Sequence, residues 1–482
     1  MKIPYNIDKG DKLMKRAIKN LNYKEFLESK RLTTQSNGVT ISRDSLNPIL
    51  FEFQQDLVLW ALKKGKAAIF AGTGLGKTLM QCEWAKYIPG DVLILAPLAV
   101  SKQTIYEARK IGIDVNLCQS QEDVKPGINI TNYEKLHKFN AEEFEGVVLD
   151  ESSILKSMSG KTRNLLIKTF SNTPYRLTCT ATPAPNDFME LGNHCQFLGV
   201  MEYNEMLAVF FVHDGGDTSK WRLKGHAQDR FWEWIASWAA VVSKPSDLGY
   251  KDGKFELPEL RIHEHIIMDT IFTKGRLLAT EARSLQEQRE VKKRTVNERV
   301  SKCAELVNST NEAFLIWCTL NIESSLLAKA IPDAVEVTGS DTSEHKEKAM
   351  LDFANGKGKI RVLISKPSIC GFGMNFQICS NMAFVGISHS FEQYYQAVRR
   401  CWRFGQIHPV NVHLIISELE GAIKTNLERK EKDAAQMMEE MVQYTREITR
   451  HNIKATERQT DVYQADKKII LPEWLRSEEN EC

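Results

Sequence analysis

Short apolar runs alternate with amphipathic, helix-length segments along two stretches of the chain. In the first stretch, residues 47–200, the runs are KAAIFAG, DVLILAPLAV, GINITNY, GVVLDES and YRLTCTATP. In the second, residues 301–450, they are AFLIWCT, AVEVTG, IRVLISK, NMAFVGIS and NVHLIIS. Continuous apolar runs indicate strands that are buried on both faces, as in parallel sheets with crossover helices. The pattern therefore predicts an α/β fold with two parallel-sheet domains in tandem.

The remaining segments have a different pattern. Residues 201–300 contain an aromatic cluster followed by a charged run, and they predict a mostly helical protrusion or linker. Trp232, Trp234 and Trp238 of this cluster could stack on bases, but hydrophobic packing of the protrusion is the favoured interpretation. Residues 1–46 form a polar N-terminal extension with a predicted helix at 11–30, and residues 451–482 form a polar C-terminal tail.

Composition places the chain among ordinary soluble proteins. Its 482 residues predict roughly two to four domains. Lysine plus arginine (64) nearly balances aspartate plus glutamate (62), so any nucleic-acid surface must be local. The ten cysteines form no C-x-x-C pair, and no signal peptide or apolar run of membrane-spanning length is visible. The sequence predicts a cytoplasmic protein with reduced thiols and no membrane contact.

A glycine-rich turn carries the first candidate chemistry. AGTGLGKT, residues 71–78, follows a strand-like run and precedes a helix-like run. Its glycines let the backbone wrap phosphates, Lys77 reaches the β- and γ-phosphate oxygens, and Thr78 ligates Mg²⁺. A turn that binds nothing is the alternative, which the order of strand, loop and helix disfavours. The candidate nucleotide-binding residues are Gly72, Thr73, Gly74, Gly76, Lys77 and Thr78.

Two adjacent acids follow a buried strand-like run in VVLDESS. Successive strand residues point to opposite faces, so Asp150 can hold Mg²⁺ while Glu151 orients and deprotonates the attacking water. Two ordinary acids at a strand end are the alternative for this pair alone. Together with the phosphate loop, the pair predicts a nucleotide hydrolase that uses ATP and Mg²⁺.

The run QAVRRCWRFGQ, residues 396–406, carries two arginines on one predicted helix face. Arg400 and Arg403 are three residues apart, which is close to one helical turn. An arginine that reaches the γ-phosphate only when two domains close makes hydrolysis depend on closure. A solvated basic helix face is the alternative for an arginine pair taken alone.

In order along the chain, these segments resemble the motifs of superfamily 2 helicases and translocases, and within them the Swi/Snf-like branch. The resemblance covers most of residues 47–450. The similar segments are FQ (53–54) with Trp60 for the glutamine motif, 72–78 for motif I, LAPLAV (95–100) for motif Ia, ITNYEKL (130–136) for motif Ib, DESS (150–153) for motif II, LTCTATPAPND (177–187) for motif III, FLIWCTL (314–320) for motif IV, SICGFGMNFQ (368–377) for motif V and 396–406 for motif VI.

The resemblance implies two RecA-like domains with helical protrusions between motifs III and IV, ATP in the cleft between the domains and a nucleic-acid strand across both. It also implies that Gln54 reads adenine and that Gly373 couples the nucleotide cleft to the strand. Thr131 and Asn375, within the segments similar to motifs Ib and V, are candidate nucleic-acid contacts. Basic residues outnumber acidic ones in residues 274–302, which adds Lys292, Lys293 and Arg294 as candidates, with a solvated helix face as the alternative.

Two features depart from the family pattern. Ser152 and Ser153 stand where relatives often carry alanine or cysteine and then histidine. That histidine usually links to motif III, so the serines leave the coupling hydrogen bond unassigned. Arg399 replaces a common glycine before the first arginine of the pair, and the sequence assigns it no role.

These observations predict an ATP-dependent DNA translocase or helicase acting on duplex or branched DNA. An RNA helicase is one alternative. Another is an ATP-controlled interaction subunit of a nuclease, replication or defence complex, with a protein partner and little unwinding of its own. The compact chain resembles helicases encoded by bacteriophages or prophages, which implies phage DNA replication, recombination or processing in the bacterial cytoplasm.

Overall fold

The computed structural model describes residues 36–97, 100–156, 160–214, 217–268, 292–356, 360–370, 375–388 and 390–454. The predicted N-terminal helix at 11–30 and residues 455–482 of the predicted tail lie outside these ranges.

Seven parallel strands form the sheet of the first domain, in the order β3-β4-β2-β5-β6-β1-β9. Along β1, Ala68 and Phe70 pack into the core on one face, while Ala67, Ile69 and Ala71 pack into the core on the other. This two-sided burial explains the continuous apolar runs of the sequence. The strands are Lys66–Ala71 (β1), Val92–Ala96 (β2), Asn116–Leu117 (β3), Ile128–Asn132 (β4), Gly146–Asp150 (β5), Tyr175–Thr180 (β6) and Ala239–Val242 (β9).

Helices cover both faces of this sheet. They are Glu52–Lys64 (α1), Lys77–Lys86 (α2), Ser101–Lys110 (α3), Lys161–Thr169 (α4), Leu191–Leu198 (α5), Tyr203–Phe210 (α6) and Gln228–Trp238 (α7). Between α6 and α7 the chain forms an antiparallel hairpin of Phe211–Asp214 (β7) and Asp217–Leu223 (β8).

The second domain has a six-stranded parallel sheet in the order β10-β15-β14-β11-β13-β12. Its strands are Leu260–Ile267 (β10), Phe314–Cys318 (β11), Ala334–Glu336 (β12), Val362–Ser365 (β13), Asn381–Val385 (β14) and Val410–Ser417 (β15). Its helices are Val296–Asn308 (α8), Asn321–Ala330 (α9), Ser343–Ala354 (α10), Pro367–Cys370 (α11) and Phe391–Val398 (α12). The prediction of two parallel-sheet α/β domains in tandem is confirmed.

Residues 201–214, 217–268 and 292–300, the described part of 201–300, differ from the mostly helical protrusion that the pattern predicts. Strand β9 pairs with β1 as the last strand of the first sheet, and β10 pairs with β15 at the edge of the second. Trp232, Trp234 and Trp238 are buried in the first core, so the packing interpretation of this cluster is confirmed. The four-residue run of β9 follows α7 directly, without a turn signal, and so short a run cannot be separated from the helix by periodicity.

A long helix, Gly421–Lys454 (α13), connects the two domains. Near its start, Ile423 and Leu427 pack into the core of the second domain. More than three turns before its end, Met441 and Val442 pack into the core of the first. Among the residues that the structure describes, no helix combines the length and the apolar character needed to cross a membrane.

Candidate active site

The glycine-rich loop joins β1 to α2 and curls around the Lys77 ammonium. Lys77 Nζ donates hydrogen bonds to the carbonyl oxygens of Ala71 at 2.9 Å and Gly72 at 3.4 Å. Gly74 and Gly76 have φ values of +91° and +80°, which favour glycine. A Cβ at Gly74 would lie 3.0 Å from the backbone nitrogen of Phe404, and a Cβ at Gly76 would collide with the Gln54 amide. The loop therefore has the glycine spacing, the lysine and the helix N-terminus that suit a phosphate group.

Gln54 braces this loop from the first turn of α1. Its Oε1 accepts a hydrogen bond from the Phe51 backbone N–H at 2.9 Å, and its Nε2 donates to the Leu75 carbonyl at 2.9 Å. The side chain is buried. Gln54 thus contacts the glycine-rich loop, and its adenine-reading role stays a prediction.

The two acids stand at the carboxyl end of β5, beside the loop. Asp150 Oδ1 accepts a hydrogen bond of 2.7 Å from Gln81 Nε2 and one of 3.1 Å from the Glu151 backbone N–H. The Tyr133 hydroxyl donates to the Asp150 carbonyl at 2.7 Å. Gln81 was missed by the sequence analysis, although it lies four residues after Lys77 and hence on the same face of α2. It fixes the orientation of the Asp150 carboxylate.

Glu151 has a φ of +52°, and it is the one non-glycine residue with a positive φ in the described part of the chain. Such a backbone conformation costs on the order of 1–3 kcal/mol and persists where the surroundings enforce it. It turns the chain sharply after β5, so that the acid stands at the mouth of the strand. The sequence carried no signal for this strain, because nothing in DESS disfavours an ordinary conformation.

Burial raises the pKa of both carboxyls. For Asp150, the Gln81 hydrogen bond and the positive charges of Lys77 and Arg400 oppose this effect. For Glu151, Lys77 and Arg400 oppose it, while the Asp150 charge adds to it. Both acids therefore lie within the field of one cation from each domain.

Arg400 of the second domain lies close enough to these acids for its charge to act on both, and Arg403 lies beside Arg400. Arg400 is buried, its Nη2 donates to Gln396 Oε1 at 3.2 Å, and burial together with the nearby Arg403 lowers its pKa to about 10. Burial also lowers the pKa of Arg403, whose charge interacts with Glu107 of α3 in the first domain. The structure thus brings Arg400 and Arg403 to the site from the far side of the cleft, as the sequence predicted.

A further contact joins the two domains at Ser153, where the relatives that the motifs resemble often carry histidine. Ser153 Oγ donates a hydrogen bond of 2.7 Å to Glu392 Oε1 of α12, and Lys156 forms an ion pair with the same carboxylate. Glu392 was missed by the sequence analysis. The serine is therefore linked to the second domain.

An aromatic cluster flanks the phosphate loop. Phe255 lies at ring-centroid distances of 5.0 Å from Phe51, 5.2 Å from Phe53 and 4.5 Å from Phe404. Phe404 follows the arginine pair and belongs to the second domain, so the cluster spans the cleft. Sequence reasoning could not predict this cluster, because its members come from three separate segments.

A cavity of about 920 Å³ extends from the loop to α13. Its lining includes Gly72, Thr73 and Gly74 of the loop, together with Arg399, Trp402 and Glu431. Several buried polar atoms at the site have no hydrogen-bond partner among the described residues, namely Thr73 Oγ1, Glu151 Oε2, Thr182 Oγ1 and Arg403 Nε. Unsatisfied donors and acceptors beside a phosphate loop fit a polar, charged ligand such as Mg²⁺-bound ATP.

The predicted nucleic-acid contacts differ in how exposed their side chains are. Thr131 is 1% exposed within β4, so the prediction that it touches a nucleic acid is not supported by its place in the sheet interior. Lys292 is mostly buried and engages the Ile387 carbonyl and Glu420, which corrects the prediction of a free phosphate contact. Lys293 and Arg294 are exposed.

Asn375 is half-buried, and its amide contacts Gln377. Gly373 lies outside the described residues. The nucleic-acid role of Asn375 and the coupling role of Gly373 stay predictions.

Comparisons with known proteins bear mainly on the second domain. The family described as the helicase conserved C-terminal domain matches residues 295–405. Among curated proteins, none matches the chain. One similar solved structure is described as "Sulfolobus solfataricus SWI2/SNF2 ATPase core in complex with dsDNA", at 17% identity and a TM-score of 0.40, covering 86% of this chain and 99% of that chain. This similarity is too low to support a conclusion about the chain. The family match shows that the second domain is similar to helicase C-terminal domains.

Proposed function

We propose that the protein is an ATP-dependent DNA translocase or helicase. The observation that carries this proposal is the position of Arg400. This arginine of the helicase-like second domain lies within the field of Asp150 and Glu151, the two acids beside the phosphate loop of the first domain. An ATPase site divided in this way makes hydrolysis depend on how the two domains stand to each other, which is what a motor requires.

Each residue of the site has a distinct part in the proposed hydrolysis. Lys77 and the loop N–H groups bind the phosphates, while Thr78 and Asp150 would hold Mg²⁺. The metal supplies positive charge that offsets the charge of the phosphates. Glu151 orients the attacking water and accepts its proton at a carboxylate oxygen.

The second domain contributes the remaining charge. Arg400 and Arg403 stabilise the negative charge that develops on the transferred phosphoryl group. Because Arg400 is buried and Arg403 is partly buried, the two side chains would help to exclude water from the cleft when the domains are closed. Opening of the domains would withdraw them and stop hydrolysis.

DNA is the proposed partner because the motif VI form and the LPEL segment (257–260) resemble those of the Swi/Snf-like branch. The match of residues 295–405 to the helicase C-terminal domain supports a nucleic-acid motor more broadly. Action in phage DNA replication, recombination or processing, in the bacterial cytoplasm, stays a prediction from the chain's compact form.

ATPase measurements with defined nucleic acids test the proposal. We expect duplex or branched DNA to stimulate hydrolysis strongly, single-stranded DNA or RNA to stimulate it less, and Lys77→Ala to abolish it. Stimulation by RNA alone would assign an RNA helicase. Hydrolysis that no nucleic acid changes, together with an absence of strand displacement and translocation, would overturn the motor and leave an interaction subunit controlled by ATP.

A further inference from the structure

Arg399 lies directly before the arginine pair, in the turn that follows α12. Its guanidinium lies 4.3 Å from the ring centroid of Trp402 and 5.1 Å from that of Tyr395. Trp402 is fixed in turn, because its Nε1 donates a 2.7 Å hydrogen bond to the Pro258 carbonyl. Guanidinium groups stack well on aromatic faces, and such contacts are worth roughly 0.5–2 kcal/mol. Arg399 therefore spans the turn that carries Arg400 and Arg403.

The connecting helix α13 presents an acid to this arginine. Glu431 and Arg399 line the same cavity. Burial raises the pKa of Glu431, and the positive charge of Arg399 opposes that rise. Arg399 Nε is buried and makes no hydrogen bond within the described residues, so the guanidinium has donor capacity left in this cavity. The charges of Glu431 and Arg399 thus act on each other across this cavity.

The far half of α13 is anchored on the first domain. Tyr444 stacks on Trp232 with ring centroids 5.4 Å apart and ring planes 1° from parallel. Arg450 donates hydrogen bonds to the carbonyls of Asp247 at 2.8 Å and Ser246 at 2.7 Å. The loop that carries these carbonyls follows β9. At the end of β9, the Val242 carbonyl accepts a 2.8 Å hydrogen bond from the Gly72 N–H of the phosphate loop. The helix therefore connects the turn of Arg399 to the neighbourhood of the phosphates.

We propose that Arg399 is a positioning residue for Arg400 and Arg403, and that Glu431 of α13 holds it in place. The connecting helix then sets the distance between the arginine pair and the phosphate loop, because one half of it rests on each domain. The inference rests on the proposed ATPase function. It gives a role to the one residue of the arginine motif that departs from the family pattern.

Steady-state ATPase kinetics of four variants test the pair. Arg399→Gln and Glu431→Gln should each lower kcat by about tenfold. Arg400 and Arg403 would then be misplaced in the closed state, where they stabilise the reacting phosphoryl group. KM for ATP should stay within about twofold, because the phosphate loop is intact. The double variant should be no slower than either single variant, because both changes break one interaction. Arg399→Lys should recover part of kcat, since it restores the charge without the planar stack.

Asp433→Asn is the matched control. It removes one carboxylate from the same helix, two residues away, at an exposed site where Asp433 pairs with Arg429 at 3.0 Å. We expect it to leave kcat and KM unchanged. No variant should melt below the wild type, which separates positioning from folding. Glu431→Gln should melt slightly above it, because burial raises the pKa of Glu431 and the charged form therefore costs stability.

The outcomes distinguish this inference from the proposed function. If the wild type hydrolyses ATP and the double variant loses kcat by the product of the single effects, the pair is not coupled and the inference is wrong. The same holds if both single variants have wild-type kcat. If the wild type itself shows no ATPase activity with any nucleic acid, the proposed function fails first, and the melting temperatures alone report on the helix.

Discussion

Ser153 Oγ of the first domain lies 2.7 Å from Glu392 Oε1 of the second, and this hydrogen bond joins the two domains. Ser153 is two residues after Glu151, and Glu392 is at the start of the helix that leads to Arg400. The link therefore connects the acid that would activate water with the element that delivers the arginine. In the superfamily that the motifs resemble, a histidine usually stands at this position and links to motif III, whereas Ser153 contacts the second domain.

Removing this link should slow hydrolysis more than it destabilises the protein. We expect Ser153→Ala and Glu392→Gln to lower the DNA-stimulated kcat by about 5- to 30-fold, equivalent to about 1–2 kcal/mol for a hydrogen bond to a charged group. ATPase assays at saturating ATP and DNA measure the effect. Ser152→Ala is the matched control, because the Ser152 hydroxyl is buried without a hydrogen-bond partner in the described structure and its loss should be neutral or slightly stabilising. Equal effects of Ser152→Ala and Ser153→Ala would contradict the role of the link.

Glu151→Gln should lower the ATPase activity and raise the stability of the protein. The raised pKa of Glu151 means that the folded protein binds this proton more tightly than the unfolded chain does, so the charged form costs stability at neutral pH. The amide removes that cost, and we expect Tm to rise by about 2–4 °C. Loss of the base should lower kcat by roughly 10²- to 10⁴-fold. Calorimetry and ATPase assays test both parts, with the exposed Glu142→Gln as the control that should change neither.

The raised pKa also sets the acid side of the pH profile. Because burial raises the pKa of Glu151, kcat should fall on acidification at a pH above the ordinary glutamate value of about 4.3. Lys77 and Arg400 oppose the rise, while Asp150 and Glu392 add to it, so the measured value belongs to the coupled acids. Arg400→Gln removes one opposing charge and should move the acid limb to higher pH. A limb that moves to lower pH in this variant would show that Arg400 does not act on the acids.

Sequence reasoning reached the parts of the site that lie within single segments. The phosphate loop, Asp150 with Glu151, and Arg400 with Arg403 each have a fixed spacing that their chemistry requires. It missed Gln81, Glu392 and Phe255, because their roles come from contacts between segments distant in the chain. The fold could be predicted because continuous apolar runs within single segments identify strands that are buried on both faces. Strand β9 was missed because it is short and directly follows a tryptophan-rich helix.

Gly76 should tolerate no side chain, whereas another glycine of similar backbone conformation should. Gly76 has a φ of +80° and a Cβ there would collide with the amide of Gln54, which braces the loop. Gly112 has a φ of +70°, but a Cβ there meets no atom within 4 Å. We expect Gly112→Ala to cost about 1 kcal/mol of stability with normal nucleotide binding. Gly76→Ala should abolish binding of a fluorescent ATP analogue, and retained binding would show that Gln54 moves aside freely.

Lys292 and Lys293 are adjacent, and we expect substitution of the first to affect stability and substitution of the second to affect DNA binding. Lys292 Nζ lies 3.4 Å from Glu420 Oε1, and the Glu420 side chain is fully buried, so Lys292→Ala leaves that acid without its cation. We expect a loss on the order of 3 kcal/mol in the free energy of unfolding. Lys293 is exposed, and Lys293→Ala should leave the unfolding free energy unchanged. If Lys293 contacts a DNA phosphate, its removal should also lower the slope of log affinity against log salt by about 1. DNA titrations across a salt series measure that slope, and a slope equal to that of the wild type would remove Lys293 from the interface.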